Sequence, residues 1–148
     1  MIRSLLIGLV AGARSMTPLA AVSEAAHSGR LPADNGAPSW LGHPLVAAGS
    51  KMLAAGELAG DKWSRAPDRI VPAGLAARLV TAGIAGAALA PRRQAMTGAA
   101  VAATAAMVAS YVTWALRMRA LQCYGQTRSG LMEDTLVIGA TTAIVAAR

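Results

Sequence analysis

Charged side chains interrupt stretches of the chain that are otherwise apolar, and these charges are the groups best able to do chemistry. Glu57 and Asp61 lie four residues apart in a segment rich in alanine and glycine, and Lys62 follows directly. That spacing places both carboxylates on one face of a helix. Two carboxylates on one face could bind a cation, exchange protons or pair with arginine side chains.

Arginines repeat this pattern in other apolar segments. Arg14 lies inside the first segment and Arg78 inside the third. In the middle of a membrane helix each such charge costs roughly 2.5–3.5 kcal/mol on an insertion scale, so each requires a partner or water. We therefore expect Arg14 and Arg78 to be counter-charges of the carboxylates or contacts for an anion.

A second acidic pair, Glu133 and Asp134, stands near the start of the last apolar segment. We place both residues in the first turn of that segment, where carboxylates complement the positive end of the helix dipole. Capping is therefore the expected role. The alternative is that the pair extends the acidic site, if that helix end dips into the protein.

The run from Arg14 to Pro18 predicts a break in the first segment. Pro18 has no amide hydrogen, which frees the carbonyl of Arg14 from its helical bond. The hydroxyls of Ser15 and Thr17 can satisfy backbone groups that the break leaves open. Discontinuous helices at membrane depth line binding sites in transporters. The alternative is a simple proline kink.

Composition and segment length predict the elements that must position these residues. The 148 residues are 55% hydrophobic and only 14% charged, whereas a soluble domain is about 25% charged. A soluble alanine-rich bundle would need polar helix faces, and residues 97–116 contain neither a charge nor such a face. We predict an all-α, polytopic transmembrane helical bundle that forms one domain over 1–148. Its five expected segments are 2–26 (broken at Arg14–Pro18), 41–63, 70–90, 95–116 and 130–147, with a polar loop over 117–129.

Charge and cysteine content exclude several classes of function. The net charge is +7, but the basic residues lie singly or at segment ends and are not interleaved with aromatics. We therefore expect contact with the bilayer and its anionic lipids, and no nucleic acid. Cys123 is the only cysteine, so no intrachain disulfide can form. We expect no metal, because His27 and His43 have no third ligand at metal spacing, and no cofactor.

Loop charges and glycine patterns bear on orientation and assembly. With five crossings, seven Lys and Arg residues lie on the side of the N-terminus and four on the other. This bias favours a multi-pass protein of the cell (inner) membrane with its N-terminus inside, although insertion in both orientations stays open. Two GxxxG patterns, at 8–12 and 56–60, offer close-packing faces. A homodimer is expected, since 148 residues form only a thin wall around any pathway.

Four runs resemble the bacterial membrane family catalogued as domain of unknown function 4126 (DUF4126). They are GLVAGARSMTP at 8–18, GELAGDK at 56–62, PDRIVPAG at 67–74 and the acidic pair at 133–134. The resemblance covers nearly the whole chain, although Trp63 and Ser64 stand here where members often have proline after the Asp–Lys pair. It implies an integral membrane protein whose signature residues are the costly charges, and it implies no particular activity.

The leading hypothesis is a small membrane channel or transporter for an ion or small polar solute. Glu57 and Asp61 would be the site carboxylates, and the broken segment would add backbone and hydroxyl ligands at Ser15 and Thr17. The alternative is a structural or accessory membrane protein whose buried charges form a stabilising ion-pair network. An intramembrane enzyme acting on lipid is disfavoured, since no nucleophile or metal set accompanies the carboxylates.

Overall fold

The computed structural model describes residues 1–60, 72–124 and 126–147, and all regular structure in these ranges is helical. Two short 3-10 helices, Ser39–Gly42 and Arg92–Gln94, precede α3 and α5. The α-helices are α1 (Ile2–Ala13), α2 (Met16–His27), α3 (Pro44–Gly60), α4 (Pro72–Leu89), α5 (Ala95–Tyr124) and α6 (Gln126–Ala146).

Three of these helices, α4, α5 and α6, are long and apolar enough to cross a membrane. Helix α1 is also apolar but has only 12 residues, so it rises about 18 Å, against the roughly 30 Å of a bilayer's hydrocarbon core. The predicted all-α class is therefore confirmed, and the long apolar helices fit a membrane protein.

Contacts with α1 give the directions of the other long helices. Gly8 faces Ala102 and Gly12 faces Ala109, so α1 and α5 run parallel. Helix α4 runs the opposite way, since the Ser4 hydroxyl near the start of α1 donates to the carbonyl of Gly86 near the end of α4 (2.9 Å).

Helix α6 is also antiparallel to α1. The Arg3 guanidinium donates to the carbonyls of Ile144 and Val145, at 3.1 Å each. One end of the bundle, hereafter the N-terminal end, therefore holds the starts of α1 and α5 and the ends of α4 and α6.

Helix α2 does not continue the direction of α1 but returns to the N-terminal end. The loop after α2 reaches the α4–α5 turn there: the Gly36 amide donates to Ala90 O (2.9 Å) and the Arg92 amide to Asp34 O (3.3 Å). Helix α3 then runs antiparallel to α2, because Leu41 O accepts from Ser23 while Glu57 meets Ser15. Helices α1 and α2 thus form a hairpin whose tip is Arg14–Ser15.

The hairpin changes the predicted topology. We expected residues 2–26 to be one broken segment that crosses the membrane, and five crossings would separate the two ends of the chain. Instead Arg3 binds the last turn of α6, so both ends of the described chain lie together. The five-segment arrangement is not confirmed. The hairpin places Arg30 at the same end of the bundle as Arg3, which differs from the arrangement used to count loop charges. The orientation with the N-terminus inside stays a prediction.

Helix boundaries at the end opposite to the N-terminal end also differ from prediction. Helix α5 extends to Tyr124 and α6 begins at Gln126, so most of the expected polar loop 117–129 is helical. Helix α4 is described from Pro72.

Small residues allow α1, α4 and α5 to approach closely. A side chain at Gly8 would overlap the backbone of Ala102, and one at Gly86 would overlap Gly98. The GxxxG pattern at 8–12 is therefore a contact face within the chain. The second pattern is not, because nothing in the described residues lies within 4 Å of a side chain built at Gly56 or Gly60.

We predict that Gly8→Ala destabilises the fold by about 1–3 kcal/mol, because the added methyl group has no space against Ala102. The measurement is the free energy of unfolding of purified protein in detergent. Gly139→Ala is the matched control: it makes the same change on α6 in open space, and it should leave stability unchanged or raise it by up to about 1 kcal/mol, because alanine is the better helix former. Equal effects of both variants would contradict the close α1–α5 contact.

The hairpin predicts that the N-terminus and the α2–α3 loop lie on one side of the membrane. Cysteines at Ile2 and Ala33, each in a Cys123→Ser background, should react with an impermeant thiol reagent from the same side of sealed vesicles. Wild-type Cys123, exposed near the end of α5, should react from the opposite side. Labelling of Ile2→Cys and Ala33→Cys from opposite sides would contradict the hairpin and show that residues 2–26 cross the membrane once.

Candidate functional site

The hairpin tip is made by the backbone of Arg14 and not by proline. Arg14 adopts an extended conformation (φ −138°, ψ 117°), while its own amide still bonds to Val10 O (3.2 Å). Helix α2 then begins at Met16. Pro18 stands in the first turn of α2, where an amide hydrogen has no helical partner. The proline-kink alternative and the expected release of the Arg14 carbonyl by Pro18 are therefore wrong.

The carboxylate of Glu57 caps the first turn of α2 from a different helix. Its Oε1 accepts hydrogen bonds from the amide and the hydroxyl of Ser15, at 3.0 Å each, and its Oε2 accepts from the Met16 amide at 2.9 Å. These bonds satisfy amides that the break leaves without helical partners. The sequence predicted that the hydroxyls of Ser15 and Thr17 would satisfy the backbone groups at the break. In the structure, the Glu57 carboxylate accepts from the amides instead.

Electrostatics strengthens this cap. The N-terminus of a helix carries a partial positive charge, and hydrogen bonds to an ionised carboxylate are about twice as strong as neutral ones. Ser15 is 8% exposed, so water contributes little to satisfying these groups. The cap therefore fixes where α3 meets the hairpin tip.

The Arg14 side chain joins the tip to α6. It is 1% exposed and is among the largest fully buried side chains. Its Nη2 forms an ion pair with Oδ1 of Asp134, and its Nη1 donates to the backbone carbonyl of Glu57 at 3.5 Å. A buried guanidinium is costly unless it is paired and hydrogen-bonded, and Asp134, itself 8% exposed, provides that pairing.

Three more charges complete the cluster. Arg117 on α5 pairs with Glu133 on α6, with Nη1 and Oε2 3.2 Å apart. Arg78 on α4 is 6% exposed, and the charges of Glu57, Arg14 and Glu133 all act on it. We call these six residues the tip cluster: Arg14, Glu57, Arg78, Arg117, Glu133 and Asp134. Its formal charges balance, with three cations and three anions.

The structure brings most of the sequence-predicted site residues to one place. Arg14, Ser15 and Glu57 are in direct contact, and the chain adds Arg78 and the acidic pair 133–134 from α4 and α6. Asp61 and Lys62 lie outside the described residues, so their predicted shared face with Glu57 stays a prediction. So does the functional role of the whole set.

The expected capping role of Glu133 and Asp134 is wrong. Helix α6 begins at Gln126, which places the pair two turns inside the helix rather than in its first turn. Both side chains instead pair with arginines of other helices, Asp134 with Arg14 and Glu133 with Arg117. Their position, beside Arg14 and Arg117 in the tip cluster, fits the alternative that the pair extends the acidic site.

Sequence reasoning missed Arg117, which it placed in a loop as an orientation signal. The signal that could have found it is the absence of any strong helix breaker between the predicted end of the fourth segment at 116 and Gly125. If the fourth segment continues as a helix past residue 116, Arg117 lies on that helix within the bundle. An acidic residue on the next helix is then its natural partner.

Two buried hydroxyls add polar character inside the bundle. Among the described residues, the Oγ1 atoms of Thr17 and Thr141 are buried and have no hydrogen-bond partner. Thr141 lies seven residues after Asp134 on α6, and therefore on the same face, and is 1% exposed. Other helical threonines, such as Thr81 and Thr113, donate to the carbonyl four residues earlier. The interior next to the tip cluster is thus more polar than the alanine-rich core.

The cluster is suited to anions and to exchangeable carboxylates. No group of three His, Cys, Asp or Glu side chains in the described ranges is placed to hold a metal ion. The donors at the tip are instead the amides of Ser15 and Met16 and the guanidinium of Arg14. These groups bind carboxylate or phosphate oxygens.

Fold and cluster together describe a helical bundle, compatible with a membrane protein, that holds buried charges at a hairpin tip. No protein-family model matches the chain, and neither does any curated protein or solved structure. Membership of the domain of unknown function 4126 family therefore stays a prediction.

The cap predicts that Glu57→Ala lowers the free energy of unfolding by about 1–3 kcal/mol, because buried donors at the tip lose their acceptor. Glu57→Gln should cost less, since its amide oxygen still accepts. The control is Glu24→Ala, which removes an exposed ion pair with Lys51 (2.6 Å) and should cost clearly less than Glu57→Ala, because exposed pairs contribute little to stability. Denaturant unfolding in detergent measures all three; equal losses for Glu57→Ala and Glu24→Ala would refute the cap.

Proposed function

We propose that the chain is a small membrane channel or transporter that passes an anion or another small polar solute across the hairpin tip. The observation that carries this proposal is the Glu57 carboxylate bound to the first amides of α2, with Arg14 beside it. A solute anion offers the same chemistry as that carboxylate. It could therefore replace Glu57 on the same donors.

The packing of α3 supports such an exchange. Helix α3 packs chiefly on α2 and the 3-10 turn before it, whereas α1, α4 and α5 pack closely on one another. Only three of its residues, Ala47, Ser50 and Ala54, are buried. Glu57 can therefore leave the tip with a small movement of α3, without opening the glycine contacts between α1, α4 and α5.

The depth of the tip also supports transport. It lies about 18 Å along α1 from the N-terminal end, and a bilayer core is about 30 Å thick. A half-helix N-terminus at such a depth is a recurring anion contact in transporters, with substrate near the midplane. Arg78 provides a second buried cation close to the same carboxylate.

A structural or accessory role is the second candidate, and the charge balance of the tip cluster favours it. The cluster contains three cations and three anions that neutralise one another. Its whole role could be structural, namely to hold α3, α4, α5 and α6 in register. In this case the buried pairs would act as internal contacts, and removing one partner would leave an uncompensated charge. A homodimer is compatible with either candidate and also stays a prediction.

Flux into proteoliposomes tests transport. We expect wild-type protein to pass at least one solute from a panel of monovalent anions, small carboxylates, phosphate, cations and protons. Glu57→Gln should raise the flux of an anion by about tenfold, because the neutral amide holds the α2 donors about 1.5 kcal/mol less tightly than the carboxylate and is displaced more easily. Glu24→Gln is the matched control: it makes the same chemical change on α2, outside the tip cluster, and it should keep wild-type flux.

The two candidates give different outcomes in this experiment. If no solute passes and Glu57→Gln only lowers stability, the structural role replaces transport. If flux occurs and Glu57→Gln leaves it unchanged, the protein transports, but not by exchange at the hairpin tip.

A further inference from the structure

A surface groove between α1 and α5 is separate from the tip cluster. It has a volume of about 510 Å³ and is lined almost entirely by apolar groups. Leu5 and Leu9 form its α1 wall, and Ala100, Thr104 and Val108 are among the residues of its α5 wall. The single hydroxyl, of Thr104, donates to the carbonyl of Ala100 in its own helix (2.9 Å), so the groove presents no free polar group from that wall.

The groove leads towards exposed positive charge. Its α5 wall continues at helical spacing from Val108 through Thr104 to Thr97 in the first turn of α5, and Arg93 lies in the 3-10 helix directly before α5. Arg92 and Arg93 are both exposed in the 3-10 turn that opens α5. At this turn the Arg92 amide donates to the backbone carbonyl of Asp34. An apolar groove thus runs below a doubly basic rim at the N-terminal end.

We propose that this groove binds one acyl chain of an anionic phospholipid, with the lipid phosphate held by Arg92 and Arg93. The charges of the rim complement a phosphate, and the wall below it complements a hydrocarbon chain. From Ala95, the first residue of α5, to Val108 the helix rises about 20 Å, which covers the roughly 15 Å of hydrocarbon in one leaflet and part of the headgroup region. This proposal does not depend on transport at the hairpin tip.

A lipid fits this surface better than a second copy of the chain. Two copies meeting through the groove would bring the arginine rims together, and like charges at an interface repel. Basic residues at the membrane surface attract anionic headgroups instead. The groove is also concave between α1 and α5, so a flexible chain can fill it.

Native mass spectrometry of detergent-purified protein, titrated with phosphatidylglycerol or with phosphatidylcholine of identical acyl chains, tests the proposal. Wild-type protein should retain phosphatidylglycerol preferentially. The double variant Arg92→Gln and Arg93→Gln should bind it at least about tenfold more weakly. Arg30→Gln is the matched control, because Arg30 is exposed at the same end but lies beyond α2, and it should bind as wild type does.

A second variant tests the groove itself. Ala100→Phe places a ring in the groove and should lower phosphatidylglycerol binding with both arginines present, whereas Ala140→Phe makes the same change on an exposed face of α6 and should not. Wild-type binding by Ala100→Phe would show attraction to the headgroup alone and overturn the groove assignment. Equal retention of both lipids, or loss of a dimer peak in Ala100→Phe without loss of lipid, would also overturn it.

Discussion

The hydrogen bonds from the start of α2 to the Glu57 carboxylate are the contact on which the rest of the structure depends. A chain that reverses inside an apolar bundle must leave amides without helical partners, and burial makes unmet amides costly. Glu57 meets those of Ser15 and Met16 with one charged group. The same contact holds α3 against the hairpin and brings a negative charge beside Arg14. Without it, the tip would need water or a solute anion in the same position.

The remaining charges follow from this arrangement. Arg14 needs a counter-charge because it is buried at the reversal, and Asp134 on α6 supplies it. The pair of Arg117 and Glu133 extends the network to α5, and the resulting cluster is neutral overall. A neutral cluster is compatible with burial, and the proposed transport would exchange one of its carboxylates for a solute anion. The structural and the transport proposals use the same contacts, and the response of flux and of unfolding to the same variants separates them.

Close packing of small residues allows this polar interior. Glycines on α1, α4 and α5 bring three backbones together, which forms a compact wall that does not need large side chains. The hairpin and α3 pack beside that wall and carry the reversal. On the outer side the same α1–α5 contact leaves the groove under Arg92 and Arg93. One helix pair thus separates two surfaces of opposite chemistry, a charged tip within and an apolar groove outside.

The sequence by itself determined the helical class, the apolar segments, the unusual charges and a break near Arg14, because these follow from local composition and spacing. Only the tertiary structure decided that α2 turns back, that Glu57 binds the amides of Ser15 and Met16, and that Arg117 belongs to the cluster. Every residue except proline has the same backbone amide, so a sequence does not show which amides lack a helical partner. The direction of the chain after a break depends on packing against distant segments. The reversal is fixed by contacts across about 40 residues to α3 and across more than 100 to α6, which no local pattern encodes.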